Sequence, residues 1–331
     1  MGWNVLITAR SFGMGDPEAA RILTELGCSV NLASQDHRVS EESLEKMMAD
    51  VDAVIVGSDP VTERVLSQAT RLRVISKHGT GVDNIDMAAC SRRKIVVTRV
   101  PGANSESVAD LTMTFILSLA RSLIQADSTV KRGGWQRIIG LELTDKTLGL
   151  IGFGAIGRAV AKRARAFGME VCAHDPLLDD KTASECGVMA DSLDGVLRRS
   201  DFLSLHVPLT PSTRGLMNAD RLAMMKPGAF LINTSRGEVV DERALYECLA
   251  SGALGGAALD VFQKEPPTGS PILSLPNVIC TPHYAAYTRE ALSRMDRISV
   301  ENIAEAMKGS KPKFVVNPEV YEGRGWREPA G

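Results

Sequence analysis

The residues best suited to chemistry in this chain are a few histidines, carboxylates and arginines that stand just past short apolar runs. The histidines are His37, His78, His174, His206 and His283. An imidazole has an unperturbed pKa of ~6.5, so it can give or take a proton at neutral pH. It works best beside a carboxylate that orients the ring and stabilises the imidazolium. A substrate that carries a carboxylate also needs a planar cation, and arginine supplies a bidentate one. The chain offers such groups in Ile232-Asn233-Thr234-Ser235-Arg236-Gly237, in Asp260 to Glu265, and in Val278-Ile279-Cys280-Thr281-Pro282-His283. Ligands of open α/β sheets sit beyond the carboxyl ends of the strands, so Arg236, Glu265 and His283 are candidates to converge there. Alone, each has a plainer reading as a solvated cation, a surface carboxylate or a hydrogen-bonded loop residue. His206, on the run 202–207, and His78, in Lys77-His78-Gly79-Thr80-Gly81, compete as bases. His174 reads as structural beside Asp175, and His37 as exposed.

A second constellation is Gly152-Phe153-Gly154-Ala155-Ile156-Gly157, a G-x-G-x-x-G match. The apolar run 148–151 precedes it, and a helical pattern over 155–167 follows, with Ile156, Val160, Ala164 and Phe167 on one face. In such a loop the first glycine permits the turn, the second lets the backbone approach a pyrophosphate, and the third lets helix and strand pack. Asp175 closes the next apolar run, where a carboxylate accepts from ribose hydroxyls and repels a 2′-phosphate. NAD is therefore expected rather than NADP. The plainer alternative is a strand–turn–helix whose glycines serve packing alone.

The elements that must position these groups alternate as strand and helix. Apolar runs at 5–7, 30–32, 53–56, 72–76 and 95–97 are separated by helical stretches at 18–26, 41–49, 61–69 and 86–93. That order predicts a parallel sheet with helices on both faces. Pro101-Gly102-Ala103-Asn104-Ser105 interrupts it and marks a domain crossing, with Ser105 as the expected cap of a long helix over 106–131. A second alternating series starts at Thr147. Its runs lie at 148–151, 170–173, 202–207, 229–233, 257–261 and 278–280. A last helix over 288–307 presents Leu292, Met295, Ser299, Ile303 and Ala306 at helical spacing, and is expected to return to the first domain. The expected organisation is α/β, with residues 1–101 and 285–331 forming one discontinuous domain and 102–284 the other.

Composition excludes several classes. The chain has 331 residues, 44% of them hydrophobic, and a formal net charge of -2. A general nucleic-acid or anionic-membrane binder is usually basic. Aromatics are only 5%, too few for a stacking platform. The start of the chain lacks a signal-peptide pattern, and the run 111–120 is too short to span a bilayer. Six cysteines without a C-x-x-C pair read as small buried residues in a reducing compartment, not a disulfide frame or metal site. The cytoplasm is the expected location, and the triplet Asn233-Thr234-Ser235 is dismissed as a glycosylation site.

From about Leu72 to Gly309 the chain resembles the D-isomer-specific 2-hydroxyacid dehydrogenase family, in its phosphoglycerate-dehydrogenase-like branch. The motifs are HGTGVDNID at 78–86, PGANSESVADLT at 101–112, the glycine loop with its strand and helix at 149–171, HVPLTPSTRGL at 206–216, MKPGAFLINTSRGEVVDERAL at 225–245, ALDVFQKEPP at 258–267 and NVICTPH at 277–283. The resemblance implies a flavodoxin-like substrate domain and a Rossmann NAD domain, both doubly wound, with a cleft between. It implies that Arg236 holds the substrate carboxylate, His283 is the acid/base, and Glu265 orients His283. It implies NAD contacts from Thr80, Ala155, Ile156, Asp175, Val207, Thr234, Arg236, Asp260 and His283, beside Gly152, Gly154 and Gly157. The substrate segment would be His78, Gly79, Thr80 and Gly81 with Arg236 and His283, and His206 then falls on a cofactor-facing strand end. A homodimer joined through 105–150 is the implied assembly, with no metal, nucleic acid or membrane.

Some positions depart from that family. Members that use 3-phosphoglycerate often carry an arginine after the third strand, where this chain has Val56-Gly57-Ser58-Asp59-Pro60. Lys77, Arg10 or Arg99 could substitute for it on a distal phosphate. Tyr284 and Tyr287 follow His283, where aliphatic and small residues are usual, and are expected to narrow the pocket or hydrogen-bond the substrate. At this length no regulatory domain is expected. The expected activity is an NAD-dependent D-2-hydroxyacid dehydrogenase of phosphoglycerate-dehydrogenase-like type. The alternatives are a hydroxypyruvate or glyoxylate reductase and an NAD-sensing corepressor-like protein. Glu265 disfavours formate dehydrogenases, which have glutamine there.

Overall fold

The computed structural model describes residues 2–33 and 38–322; His37 and the end of the tail lie outside them. The chain forms two compact units, 1–104 with 286–331, and 105–285. The first unit contains β1 (Asn4–Ile7), β2 (Ser29–Leu32), β3 (Ala53–Val56), β4 (Val74–Lys77) and β5 (Val96–Thr98). All pair in parallel in the order β2-β1-β3-β4-β5. β3, β4 and β5 are buried along their whole length, as β-branched strands covered on both faces must be. One face packs Leu44, Met48, Leu66 and Ile75; the other packs Val5, Ile7 and Val74 against Val300, Ile303 and Ala306 of the helix Arg289–Met307. The late helix is thus part of the first unit's core, started by Thr288, whose side chain accepts from the Ala291 N–H.

The second unit contains β6 (Thr147–Ile151), β7 (Glu170–His174), β8 (Met189–Ala190), β9 (Phe202–Leu205), β10 (Phe230–Asn233), β11 (Gly256–Leu259) and β12 (Val278–Cys280). Its parallel order is β12-β11-β10-β9-β6-β7-β8. Chain direction across the sheet reverses between β6 and β9, which opens a crevice at their carboxyl ends. Both units are doubly wound parallel sheets, the fold class expected. Among the described residues no single helix is long and apolar enough to cross a membrane.

Several local expectations are corrected. The helix over 106–131 is two helices, Ser105–Ala120 and Leu123–Lys131, bent by 65°. Ser122 sits at φ +48 in the left-handed region, which ends a helix at that point. Phe167, expected on a buried face, is exposed because it follows the last helical turn. Cys280 is exposed because β12 is an edge strand; Cys28, Cys90 and Cys172 are buried and all six thiols are free. The short edge strand β8 has too little apolar pattern to be read from sequence. The units divide at 104/105 and 285/286, a few residues from the expected points. Residues 103 and 104 stay with the first unit because Arg294 donates to the Ala103 carbonyl and Thr80 donates to Asn104.

Phe202 is fully buried and stacks on Phe230 with ring centroids 4.9 Å apart. Phe202→Ala is expected to destabilise this unit by about 3–5 kcal/mol, read by urea unfolding.

Candidate active site

The glycine loop has the geometry of a pyrophosphate cradle. Gly152 lies at φ +96, and a β-carbon there would fall 2.5 Å from the His206 carbonyl oxygen. Gly157 is equally committed, since a β-carbon would fall 2.5 Å or less from the Gly152 carbonyl. Gly154 precedes the helix Ala155–Ala166, and no side chain caps that helix. A β-carbon at Gly154 would meet nothing within 4 Å. The orphan N–H groups of Ala155 and Ile156 therefore stand at an open, positively polarised helix end. Asp175 follows β7, and its two oxygens accept from Phe153 N at 2.8 Å and Leu177 N at 2.9 Å. Each oxygen keeps a lone pair for a hydroxyl. Cradle, helix end and fixed carboxylate fit a dinucleotide.

Val207 and Thr234 follow β9 and β10 at the same sheet edge, and Thr234 lies 3.4 Å from Thr112, hydroxyl to hydroxyl. His206 is not placed as a base. Burial pushes its pKa down to about 3, and its Nε2 is held 3.0 Å from the Ser204 hydroxyl. His174 is structural as expected, its Nδ1 lying 3.2 Å from the Asp191 carbonyl.

Arg236, Glu265 and His283 are assembled by backbone as much as by side chains. The Asn233 amide ties the turn after β10, donating to the Arg236 carbonyl at 2.9 Å and accepting from Ser235 N at 3.0 Å. Arg236 Nη1 donates to the Ser235 carbonyl at 2.8 Å. A β-carbon on Gly237 would lie 1.9 Å from the Phe262 carbonyl carbon, so only glycine lets this turn rest on the 262–263 backbone. Glu265 accepts from Phe262 N at 3.2 Å through Oε1, and its Oε2 lies 2.8 Å from His283 Nδ1. Burial works to raise the Glu265 pKa. The hydrogen bond and charge of His283, the Phe262 N–H and the Arg236 charge outweigh it and hold it below 4.5. An ionised carboxylate only accepts, so Nδ1 donates and Nε2 is the nitrogen left for proton exchange.

His283 sits at φ +52, unusual for a side chain of this size. Its N–H donates to the Asp260 carbonyl at 2.8 Å. The fully buried Asp260 carboxylate accepts from the Thr281 hydroxyl at 2.6 Å, Tyr284 N at 3.0 Å and Ala285 N at 2.9 Å. Asp260 thus holds the segment that carries His283. Asn233, Gly237 and the bracing carboxylate of Asp260 are the contributions that residue spacing does not reveal. The one available signal was a glycine directly after the arginine. Tyr284 and Tyr287 are both exposed.

In the first unit, the His78 imidazole points inward. Its Nε2 lies 2.8 Å from Asp296 and its Nδ1 3.3 Å from the Ser11 hydroxyl, and its side chain is 1% exposed. As a base or a side-chain ligand it is out of reach, a correction to the sequence reading that follows from the buried carboxylate on a distant helix. Gly79, Thr80 and Gly81 follow β4, with the Gly79 carbonyl accepting from Val100 N and the Thr80 hydroxyl bonded to Asn104. Among the described residues no cluster of metal-ligating side chains is present.

The model of the D-isomer specific 2-hydroxyacid dehydrogenase, NAD binding domain, matches residues 113–285. The D-3-phosphoglycerate dehydrogenase of Methanocaldococcus jannaschii is 44% identical over 304 residues, covering 91% of this chain and 57% of that protein. The chain spans little more than half the length of that relative. The hydroxypyruvate reductase of Thermotoga maritima is 42% identical, over 87% of this chain and 94% of the relative. The crystal structure of D-lactate dehydrogenase from Aquifex aeolicus, complexed with NAD and lactic acid, superposes with a TM-score of 0.82 at 32% identity, covering 92% of this chain and 96% of that one. The glycine cradle and the residues around His283 lie within the matched domain, and the chain belongs to the D-isomer-specific 2-hydroxyacid dehydrogenase family.

Proposed function

We propose that this chain is an NAD-dependent oxidoreductase that interconverts a D-2-hydroxy acid and its 2-keto acid. The observation that carries the reading is the 2.8 Å bond between His283 Nδ1 and Glu265 Oε2, with the Arg236 charge acting on the same carboxylate. Arg236 holds the substrate carboxylate, bidentate and planar. Bound NADH supplies the hydride to the carbonyl carbon. His283 Nε2 gives its proton to the carbonyl oxygen, and in the reverse direction takes it from the hydroxyl. Glu265 stays ionised throughout and stabilises the imidazolium. Asp260 keeps His283 in place. Asp175 accepts from the adenosine ribose and repels a 2′-phosphate, favouring NAD over NADP.

The finer reading is a phosphoglycerate-dehydrogenase-like substrate; hydroxypyruvate or glyoxylate reduction is the alternative. A homodimer through 105–150 is supported by the apolar residues that region exposes, among them Leu123, Ile124, Trp135 at 82% and Ile139 at 98%. The six free thiols suit the cytoplasm.

NADH oxidation against 3-phosphohydroxypyruvate, hydroxypyruvate, glyoxylate and pyruvate tests the reaction. Turnover of at least one is expected; turnover of none returns the chain to a dinucleotide-sensing role. His283→Ala is expected to lower kcat by about 10²–10⁴-fold while NADH still binds in a fluorescence titration, and retained turnover would refute the assignment. In Glu265→Gln the imidazolium loses its carboxylate. The kcat for keto-acid reduction should then fall, read in the same NADH-oxidation assay, because the ring is no longer held against a carboxylate. Ile139→Asp is expected to halve the molar mass read by light scattering.

A further inference from the structure

We infer that Arg158 is a further binding residue for the dinucleotide, supplying the cation that meets its pyrophosphate at the glycine loop. The loop itself offers a pyrophosphate only backbone N–H groups. Position 155, the first of the helix Ala155–Ala166, is an alanine and adds no charge. Arg158 stands one turn into that helix. Helical side chains lean toward the N-terminus, so a side chain at 158 lies over residue 154. The guanidinium is in fact drawn back onto the loop. Its Nε donates to the Phe153 carbonyl at 3.2 Å, and its carbon lies 5.9 Å from the centre of the Phe153 ring.

Two features make Arg158 more than a brace for that carbonyl. The first is unspent hydrogen-bonding capacity. A guanidinium has five N–H donors, and the bond to Phe153 uses one. Among the described residues, neither Nη1 nor Nη2 of Arg158 forms a hydrogen bond or ion pair, and the residue is exposed. Two free Nη groups in a fixed plane match the oxygens of a phosphate.

The second feature is charge. A helix N-terminus carries partial positive charge, so a cation brought to it is unfavourable by itself. The first turn of Ala155–Ala166 has no acidic residue to offset it. Two other cations of this helix are satisfied: Arg163 pairs with Glu106 and Asp110, and Arg165 donates to the Cys186 carbonyl at 2.9 Å. Arg158 is held against the positive end without a carboxylate. An anion in the cradle removes that conflict, because helix end and guanidinium both attract it. Phe153 connects this cation to the ribose carboxylate. Asp175 accepts from Phe153 N at 2.8 Å, while Arg158 donates to the carbonyl of the same residue. One loop residue thus holds both a carboxylate suited to a ribose hydroxyl and a cation suited to a phosphate.

The test is equilibrium binding to the intact protein, which needs no keto acid and no turnover. It compares the Kd of NADH, read by fluorescence titration, with the Ki of ADP-ribose and of adenosine as competitors, in the wild type, Arg158→Gln and Arg158→Lys. Arg158→Gln should weaken NADH and ADP-ribose at least about tenfold, as loss of a charge-assisted hydrogen bond does. Adenosine, which has no phosphate, should bind unchanged. Arg158→Lys should recover part of the loss, since it keeps the charge without the planar fork. In the wild type, added salt should weaken ADP-ribose more than adenosine, a reading that needs no variant. NADH and ADP-ribose affinities unmoved in Arg158→Gln would overturn the inference. So would an equal loss for all three ligands, which would make Arg158 a brace for the loop. A wild type that bound neither NADH nor ADP-ribose would overturn the cradle itself, and this inference with it.

Discussion

The buried carboxylate of Asp260 is the constraint on which the rest of the proposed site depends. A carboxylate out of water is costly unless its oxygens are hydrogen-bonded, and here three donors from residues 281–285 meet it. Those bonds close the segment over the end of β11 and hold His283 at φ +52, a conformation that persists only where surrounding contacts over-determine it. The same bonds set the direction of the imidazole, and so decide which nitrogen meets Glu265. Removing Asp260's oxygens would loosen the backbone that carries His283.

Arg236 and Glu265 are fixed by a parallel device. Gly237 lets the turn after β10 rest on the 262–263 backbone, and Phe262 N in turn donates to Glu265. The three groups stand on loops, yet each loop is bonded to its neighbour. Such cross-bracing gives loop residues the preorganisation expected of residues on strands.

Much of this was legible in the sequence, for a physical reason. In doubly wound sheets the chemistry sits at strand ends, so an apolar run followed by a charged or glycine-rich segment reports both strand and site. Gly152, Asp175, Arg236, Glu265 and His283 are singled out this way. What escaped depends on approach through space. His78 looked like a loop ligand because its partner Asp296 is far away in sequence. Asp59 stands in the loop after β3, and nothing local shows that Thr8 and Val39 enclose it. Asn233 was set aside with a dismissed glycosylation triplet, and nothing local shows that its amide closes the Arg236 turn. The helix break at Ser122 has no glycine or proline to announce it.

The Glu265–His283 pair also shows why proximity and stability are separate matters. The side chains are 34% and 43% exposed, so water screens their attraction. The Glu265 pKa is held below its ordinary 4.5, so whatever stability the pair lends is present above that value. It is lost as pH falls through the lowered value, where the carboxyl takes up its proton. Between groups this exposed that contribution is small. The pair's consequence lies in the imidazole. An ionised Glu265 fixes the proton on Nδ1, leaving Nε2 to exchange a proton with substrate. The geometry is therefore better suited to holding a proton in readiness than to holding the fold together.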